Sequence, residues 1–374
     1  MVMRWIERES FKFGLTNTLF FRNAVRRVAY FRAENDPEKV HELALEALNE
    51  YLDVIDEVSK DFDFEDLHVD IAGKEVMPFG TAAGLDKNAD AVKPLSRLFG
   101  YQKPGTFIVP IREGNKRPRV AVDEKTDEIY NAQGFPSKGL DYALEKIIKF
   151  REEGEMGLLI PSVCGLPLEE NLEKAYQELE LILTKINPYT DGIEWNPFSP
   201  NTKALAALRN PSEFKRSAKL IKDIVGDKLK IVKMGPYDEG KSLDWLKLVE
   251  AFLDGGGDGL TAVNTYMVPK EIVPSKDWGY PSAGRSGTFL QNYRQRALRD
   301  ARTNFPKAFI FATGGINSGE QAWNALQYAD AIEGYTPYTF SGFGLIIEMA
   351  KYIQDKLKET RDSNLKDFLK SRKF

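Results

Sequence analysis

Cysteine is almost missing from these 374 residues: Cys164 stands alone, and histidine occurs only at His41 and His68. One cysteine excludes an intrachain disulfide framework and any cysteine-rich zinc or iron–sulfur site. Two histidines are too few for a histidine-based centre, so no metal is expected. A surplus of positive charge is missing too. The net charge of −4 leaves no basic excess to neutralise phosphates, and no nucleic-acid partner is expected. No run approaches the roughly 20 apolar residues that cross a bilayer. The first nine residues carry charges of both signs rather than a signal-peptide pattern, so any membrane contact should be peripheral. What is present is an ordinary globular composition, 42% hydrophobic and 29% charged, in a length that suits one barrel and an appendage. Chemistry must then rest on Lys, Ser, Thr, Asn and a cofactor.

Residues 1–68 read as a helical extension. Phe11, Phe13, Leu15, Leu19, Phe20, Phe21, Val25, Val28 and Tyr30 form an aromatic, apolar segment interleaved with Arg22, Arg26 and Arg27. Asp36-Pro37 then supplies an N-cap and a first-turn proline ahead of His41, Leu43, Ala44, Leu45, Ala47 and Leu48, so two helices are expected. They suit a cap docked on the rest of the chain. They equally suit an amphipathic pair that meets lipid and admits a lipophilic substrate, with the arginines at headgroup level; the two readings are compatible.

From 69 to 374 short apolar runs alternate with amphipathic stretches. The runs are 76–84, 106–109, 157–164, 191–196, 230–234, 259–265, 308–315 and 331–336. Eight such runs predict an α/β fold, a (β/α)8 TIM barrel carrying the helical extension. Active sites in such barrels sit where the strands end. Here the ends hold Ala83-Gly84, Thr106, Cys164, Asn196, Lys233, Asn264-Thr265, Gly314-Gly315 and Tyr335-Thr336. A lysine finishing the apolar run Ile231-Val232 needs a partner or a task. Gly314-Gly315 followed by Ser318 and a helix offers backbone amides to an anion, as phosphate-binding barrels do between their last two strands.

Several segments together carry a resemblance. They are Ala82–Asn88 (AAGLDKN), Gly105-Thr106 with Glu113-Gly114-Asn115 and Arg117-Pro118-Arg119, Asn131–Phe135 (NAQGF) and Asn196–Thr202 (NPFSPNT). Val232-Lys233, Val263-Asn264-Thr265, Ser286-Gly287, Thr313-Gly314-Gly315 and Tyr335-Thr336 follow in order. This set resembles the dihydroorotate dehydrogenase family, and the leader with Asp36-Pro37-Glu38 and His41-Glu42-Leu43-Ala44 resembles its quinone-linked class. The resemblance implies FMN as cofactor, oxidation of (S)-dihydroorotate to orotate in pyrimidine biosynthesis, and a quinone as electron acceptor. It implies a peripheral membrane protein on the cytoplasmic face.

It also implies roles. Ser199 would be the base, with Thr202 and Phe135 bordering its proton relay. Asn131, Asn196, Asn201, Asn264 and Thr265 would hydrogen-bond the pyrimidine edge, each asparagine offering a donor and an acceptor. Lys87 would serve flavin and substrate carboxylate, and Lys233 would hold positive charge near the flavin. Ala83, Gly84, Thr106, Asn131, Asn196, Ser286, Gly287, Gly314, Gly315, Tyr335 and Thr336 would complete the FMN site. Soluble relatives use a cysteine where Ser199 stands; Cys164, on the third strand, reads as a small buried residue.

The chain departs from the pattern in places. Pro136 stands where the family usually has another substrate-binding asparagine, and Pro197-Phe198 replaces a small pair before the base. Pro161–Gly165 lacks the flavin-contacting asparagine, and Val122 replaces an arginine associated with quinone. Two alternatives therefore stay open. One is a diverged FMN oxidoreductase acting on another cyclic amide, or a flavin-binding barrel with little turnover. The other is a lyase using Lys233 as a Schiff-base nucleophile.

Overall fold

The computed structural model describes residues 2–167, 171–198 and 202–374. The barrel strands are β1 (Phe79–Thr81), β2 (Tyr101–Gln102), β3 in two pieces (Leu158–Leu159 and Ser162–Val163) and β4 (Gly192–Trp195). They continue as β5 (Leu229–Lys233), β6 (Gly259–Ala262), β7 (Phe309–Thr313) and β8 (Ala331–Gly334). All pair in parallel, in chain order, with β8 returning to β1. Pro161, which has no N–H, divides β3. Its first half pairs with β2 (Tyr101↔Leu158) and its second with β4 (Ser162↔Glu194). Nine ladder segments, two of them halves of β3, therefore make eight strands, and the sheet closes.

The second strand corrects the sequence reading, which put it at 106–109. The strand is Tyr101–Gln102, and Phe107 contributes only an isolated bridge to Val163. The apolar run lies beyond Pro104, where the chain is already leaving the barrel. The true strand is hidden by the polar Gln102 and Lys103, both 1% exposed or less.

Those polar residues belong to an unusual interior. Barrels of this kind fill their centre with layers of four side chains from alternate strands. Here one layer comes from the even strands: Lys103 directly after β2, Glu194 on β4, Thr261 on β6 and Glu333 on β8, all fully buried. Lys103 Nζ lies 2.8 Å from Glu194, 2.6 Å from Glu333 and 2.7 Å from Thr261 Oγ1, and 3.7 Å above the Phe311 ring. Lys233, ending β5, adds a second cation 3.8 Å from Glu333 and 4.0 Å from Glu194. Two cations thus face two anions. Burial alone would raise the Glu194 carboxyl; Lys103 and Lys233 outweigh it and hold it down at about 2. Glu333 moves the other way, raised by burial and by the charge of Glu194.

The leader is more divided than the expected pair of helices. It runs through α1 (Val2–Thr16), a turn at Thr18–Phe20, a π-helical segment at Phe21–Val25, α2 (Arg26–Arg32), α3 (Pro37–Glu50) and α4 (Leu52–Val58). Asp36 caps α3, accepting from the amides of Glu38 and Lys39, with Pro37 at the first position. Two arginines assigned to a headgroup layer turn toward the barrel instead. Arg26 is 6% exposed, pairs with Glu124 and donates to the Thr339 carbonyl; Arg22 pairs with Asp127. Only Arg27 of the three is exposed. On α3, Glu38 accepts from Arg119 Nε and Nη2 at 3.0–3.1 Å in a buried pair. A four-stranded antiparallel sheet covers the mouth, ordered Tyr266–Pro269, Ser282–Gly287, Glu128–Asn131, Val120–Asp123. Its centre is pinned by Arg285, whose Nε donates to the buried Glu128 at 2.9 Å.

Two measurements test this frame. Lys103→Met strands two buried carboxylates and should cost about 3–5 kcal/mol in urea unfolding. Lys103→Met with Glu194→Gln, which restores equal charge through Lys233 and Glu333, should recover at least half; a double variant as unstable as the single would refute the balance. In the intact protein the Glu194 contribution is complete above the unfolded value of 4.5 and falls away as pH drops toward 2. Glu38→Ala should free α3 from the buried Arg119 guanidinium at a cost of about 3 kcal/mol. Amide exchange in α3 should rise while that of β4–β7 stays unchanged, and equal acceleration throughout would show that Glu38 supports the whole fold instead.

Candidate active site

The strands deliver their C-terminal ends to one cleft beneath the covering sheet. The space between its walls and its open mouth is about 1190 Å³. Ala83, Gly84, Lys87, Thr106, Asn131, Phe135, Asn196, Lys233, Asn264, Thr265, Ser286, Gly287, Gly314, Gly315, Tyr335 and Thr336 all line it. Thr202 does not; it opens the short helix Lys203–Leu208. Ser199 and Asn201 lie outside the described residues.

A polar chain crosses the floor. Asn196 Nδ2 donates to Thr106 Oγ1 at 2.9 Å, and Thr106 shares a hydrogen bond of 3.1 Å with Ser162 on β3. Asn196 Oδ1 accepts from the Phe198 amide at 3.2 Å, and Asn264 Nδ2 donates to the Phe198 carbonyl at 2.6 Å. Asn264 Oδ1 accepts from the Thr265 amide. The two asparagines thus grip both backbone polar groups of Phe198. Each amide side chain can make further bonds, having two donor hydrogens and two acceptor lone pairs. Nearby, the buried Thr265 Oγ1 has no partner among the described residues, and an orphaned buried hydroxyl is costly unless a ligand meets it.

Electrostatically the cleft is positive at its edge. Lys87 forms no ion pair among the described residues, and burial lowers its pKa against the opposing pull of Glu38. At Gly84, φ is +104° and an added Cβ would meet no atom within 4 Å, so a side chain there would occupy ligand space. His41 of α3 packs edge-on against Tyr335 at 5.6 Å. Burial, reinforced by Lys87, pushes His41 down to about 3 and keeps it neutral. Burial likewise raises the Tyr335 phenol. Cys164 is fully buried and its thiol is pushed up by burial, which leaves it inert.

The far corner suits an anion. Gly314 and Gly315 adopt φ of +105° and +69°, and no backbone amide from Gly315 to Asn317 donates to another described residue. Ser318 caps the helix Gly319–Leu326 that follows, accepting from Gln321 N at 3.2 Å. Ser286 Oγ and Thr336 Oγ1, 2.9 Å apart, border this corner. Free amides in a nest ahead of a helix bind phosphate-like groups. The cleft also holds residues that the motifs did not announce. Val120, Ile129 and Leu290 come from the covering sheet or just beyond it, while Gln133 and Glu333 add an amide and a carboxylate. Gln133 sits inside NAQGF and was discoverable there; the others depend on pairing between distant segments.

Comparison with known proteins identifies the family. A family model described as Dihydroorotate dehydrogenase matches residues 66–360. The chain is 31% identical to "Dihydroorotate dehydrogenase (quinone)" of Marinomonas sp. (strain MWYL1) over 345 residues, 84% of this chain and 92% of that one. It is 28% identical to the protein of the same description in Bordetella avium (strain 197N), again over 84% of this chain and 92% of the relative. Among solved structures, DHODH from Eimeria tenella in complex with ferulenol superimposes with a TM-score of 0.76 at 23% identity, covering 90% of this chain and 96% of that one. At that identity the likeness speaks for the fold.

Proposed function

The chain belongs to the dihydroorotate dehydrogenase family, and from that premise we propose that it oxidises (S)-dihydroorotate to orotate in pyrimidine biosynthesis, with FMN in the cleft and a quinone as final acceptor. The observation that carries the reading is the cleft itself, where an amide nest, an orphaned threonine hydroxyl, an unpaired lysine and a set of asparagines converge. FMN fits these groups: its phosphate suits the nest at Gly315–Asn317, and its ring suits the floor beside Gly84, Thr106 and Lys233. When bound, FMN supplies the hydride acceptor.

The rest falls to the protein. Ser199 is the proposed base for the carbon-bound proton, next in sequence to Phe198, which Asn196 and Asn264 hold. A serine is a weak base in water, so it needs a dry site and a relay, which Phe135 and Thr202 border. Asn131, Asn196, Asn201, Asn264 and Thr265 present amides and a hydroxyl to a flat cyclic imide, and Lys87 faces its carboxylate. Lys233 is ion-paired with both Glu194 and Glu333, at 4.0 and 3.8 Å, which disfavours the Schiff-base alternative.

Residues 1–68 are assigned to quinone access and peripheral contact on the cytoplasmic face of a membrane, and 69–374 to the catalytic barrel. No helix among the described residues is long and apolar enough to cross a membrane. The leader nevertheless exposes Phe31 (84%), Leu19 (71%), Phe13 and Ile6 (both 52%), and Val28 (51%). Apolar side chains gathered on short helices suit the lipid interface.

Anaerobic mixing with dihydroorotate should bleach the flavin absorbance, and a short-chain quinone should restore it; a yellow protein unmoved by dihydroorotate points to another cyclic amide. Ser199→Ala should keep the flavin yet slow its reduction by roughly 100-fold or more, whereas near-normal reduction removes Ser199 from the base role. Deleting residues 1–30 should impair quinone turnover more than reduction by dihydroorotate, and equal losses mark the leader as structural.

A further inference from the structure

Behind the amide nest lies a buried cation with no counter-charge. Arg294, on the helix Gln291–Asn304, is 1% exposed. Its Nη1 donates to the Gly314 carbonyl at 2.9 Å and its Nη2 to Gln321 Oε1 at 2.8 Å, while Nε has no partner. Both acceptors are neutral, and no carboxylate pairs with Arg294 among the described residues. Other deeply buried cations are answered by carboxylates: Lys103 by Glu194 and Glu333, Arg302 by Asp330, Arg119 by Glu38. A fully desolvated guanidinium without an anion is expensive, and burial lowers the Arg294 pKa to about 9.

Both contacts of Arg294 bear on the anion corner. The Gly314 carbonyl shares its peptide with the Gly315 N–H that opens the run of free amides, so fixing that carbonyl fixes the direction in which the first of them points. Gln321 lies in the first turn of Gly319–Leu326, and its own amide is the one that Ser318 caps. One guanidinium therefore ties the nest to the helix start and places a positive charge behind both. We propose that Arg294 is the charge-supplying and positioning residue of the phosphate subsite, its missing counter-ion being the phosphate dianion of the flavin nucleotide. The role rests on the flavin reading above. It predicts that the neutral part of the ligand gains nothing from Arg294.

Gln321→Glu tests this without removing the arginine. The exchange is isosteric and gives the guanidinium a carboxylate of its own, which should leave the fold intact or strengthen it. Flavin is stripped from full-length protein, and the dissociation constants of FMN and riboflavin are measured by fluorescence quenching. The original chain should favour FMN strongly. In Gln321→Glu the FMN affinity should fall roughly ten- to a hundredfold while riboflavin binding stays unchanged. Arg294→Met should lower the FMN-to-riboflavin ratio similarly, and Arg294→Lys should restore part of it; if Arg294→Met does not fold, Gln321→Glu alone decides. An unchanged ratio in Gln321→Glu, or equal loss of both ligands, overturns the proposal while leaving the flavin reading standing. Failure of the original chain to bind either flavin overturns both.

Discussion

The architecture turns on four ionised side chains sealed inside the barrel. Burying them is costly, and only their equality in number makes it tolerable: Lys103 and Lys233 against Glu194 and Glu333. The layer that would elsewhere be Val, Ile or Leu becomes an ion lattice whose geometry dictates how strands 2, 4, 6 and 8 sit around the axis. It also joins interior to function, because Lys233 belongs at once to the lattice and to the cleft wall. Raising Glu333 and lowering Glu194 makes the pair unequal.

Much of the site could be read along the chain because barrel chemistry gathers at strand ends, and a strand end is a local feature. Sixteen of the assigned residues meet in one cleft although they span Ala83 to Thr336. The helical leader was legible through Asp36-Pro37, whose capping geometry is local as well. What stayed hidden needed partners far away. The covering sheet pairs Glu128–Asn131 with Ser282–Gly287, some 150 residues on, and neither segment alternates long enough to announce a strand. Strand β2 does not coincide with the apolar run at 106–109, because its own segment carries the polar Gln102 and Lys103 rather than apolar residues. Lys103 can stand there only because Glu194 and Glu333 await it. Arg22 and Arg26 misled for the same reason: an arginine beside phenylalanines resembles a lipid anchor until Glu124 and Asp127 are known to lie opposite.

The asparagines modify the simple picture of a preformed substrate cradle. Asn196 and Asn264 already hold Phe198, and Asn131 Nδ2 donates to the Gly284 carbonyl at 3.1 Å. The spare hydrogen-bonding capacity of Asn196 and Asn264, rather than their whole side chains, is what a ligand can use. A side chain anchored on one edge is oriented on the other, so these bonds fix the direction of recognition before the ligand arrives. Pro136 fits that economy of donors, since it lines the cleft and offers none. The neighbouring Gln133 supplies an amide from the same loop.

The leader and this substrate loop are joined by one continuous set of polar contacts. Glu38 on α3 grips Arg119, whose Nη1 donates to the carbonyls of Glu113 and Asn115. Asn115 in turn donates through its backbone to Gln133 O at 2.9 Å and through Nδ2 to Ala132 O at 2.6 Å. From there the chain continues into Gly134 and Phe135 on the cleft wall. Every link is a directional bond, and Glu38 and Arg119 are buried, so displacement of α3 cannot be absorbed at the surface. On the other side of the same helix, His41 touches Tyr335 beside the anion corner. Any displacement of α3 therefore bears on the residues that shape the cleft. One helix thus supports both the 113–135 segment, through Glu38 and Arg119, and Tyr335, through His41, without itself lining the cleft.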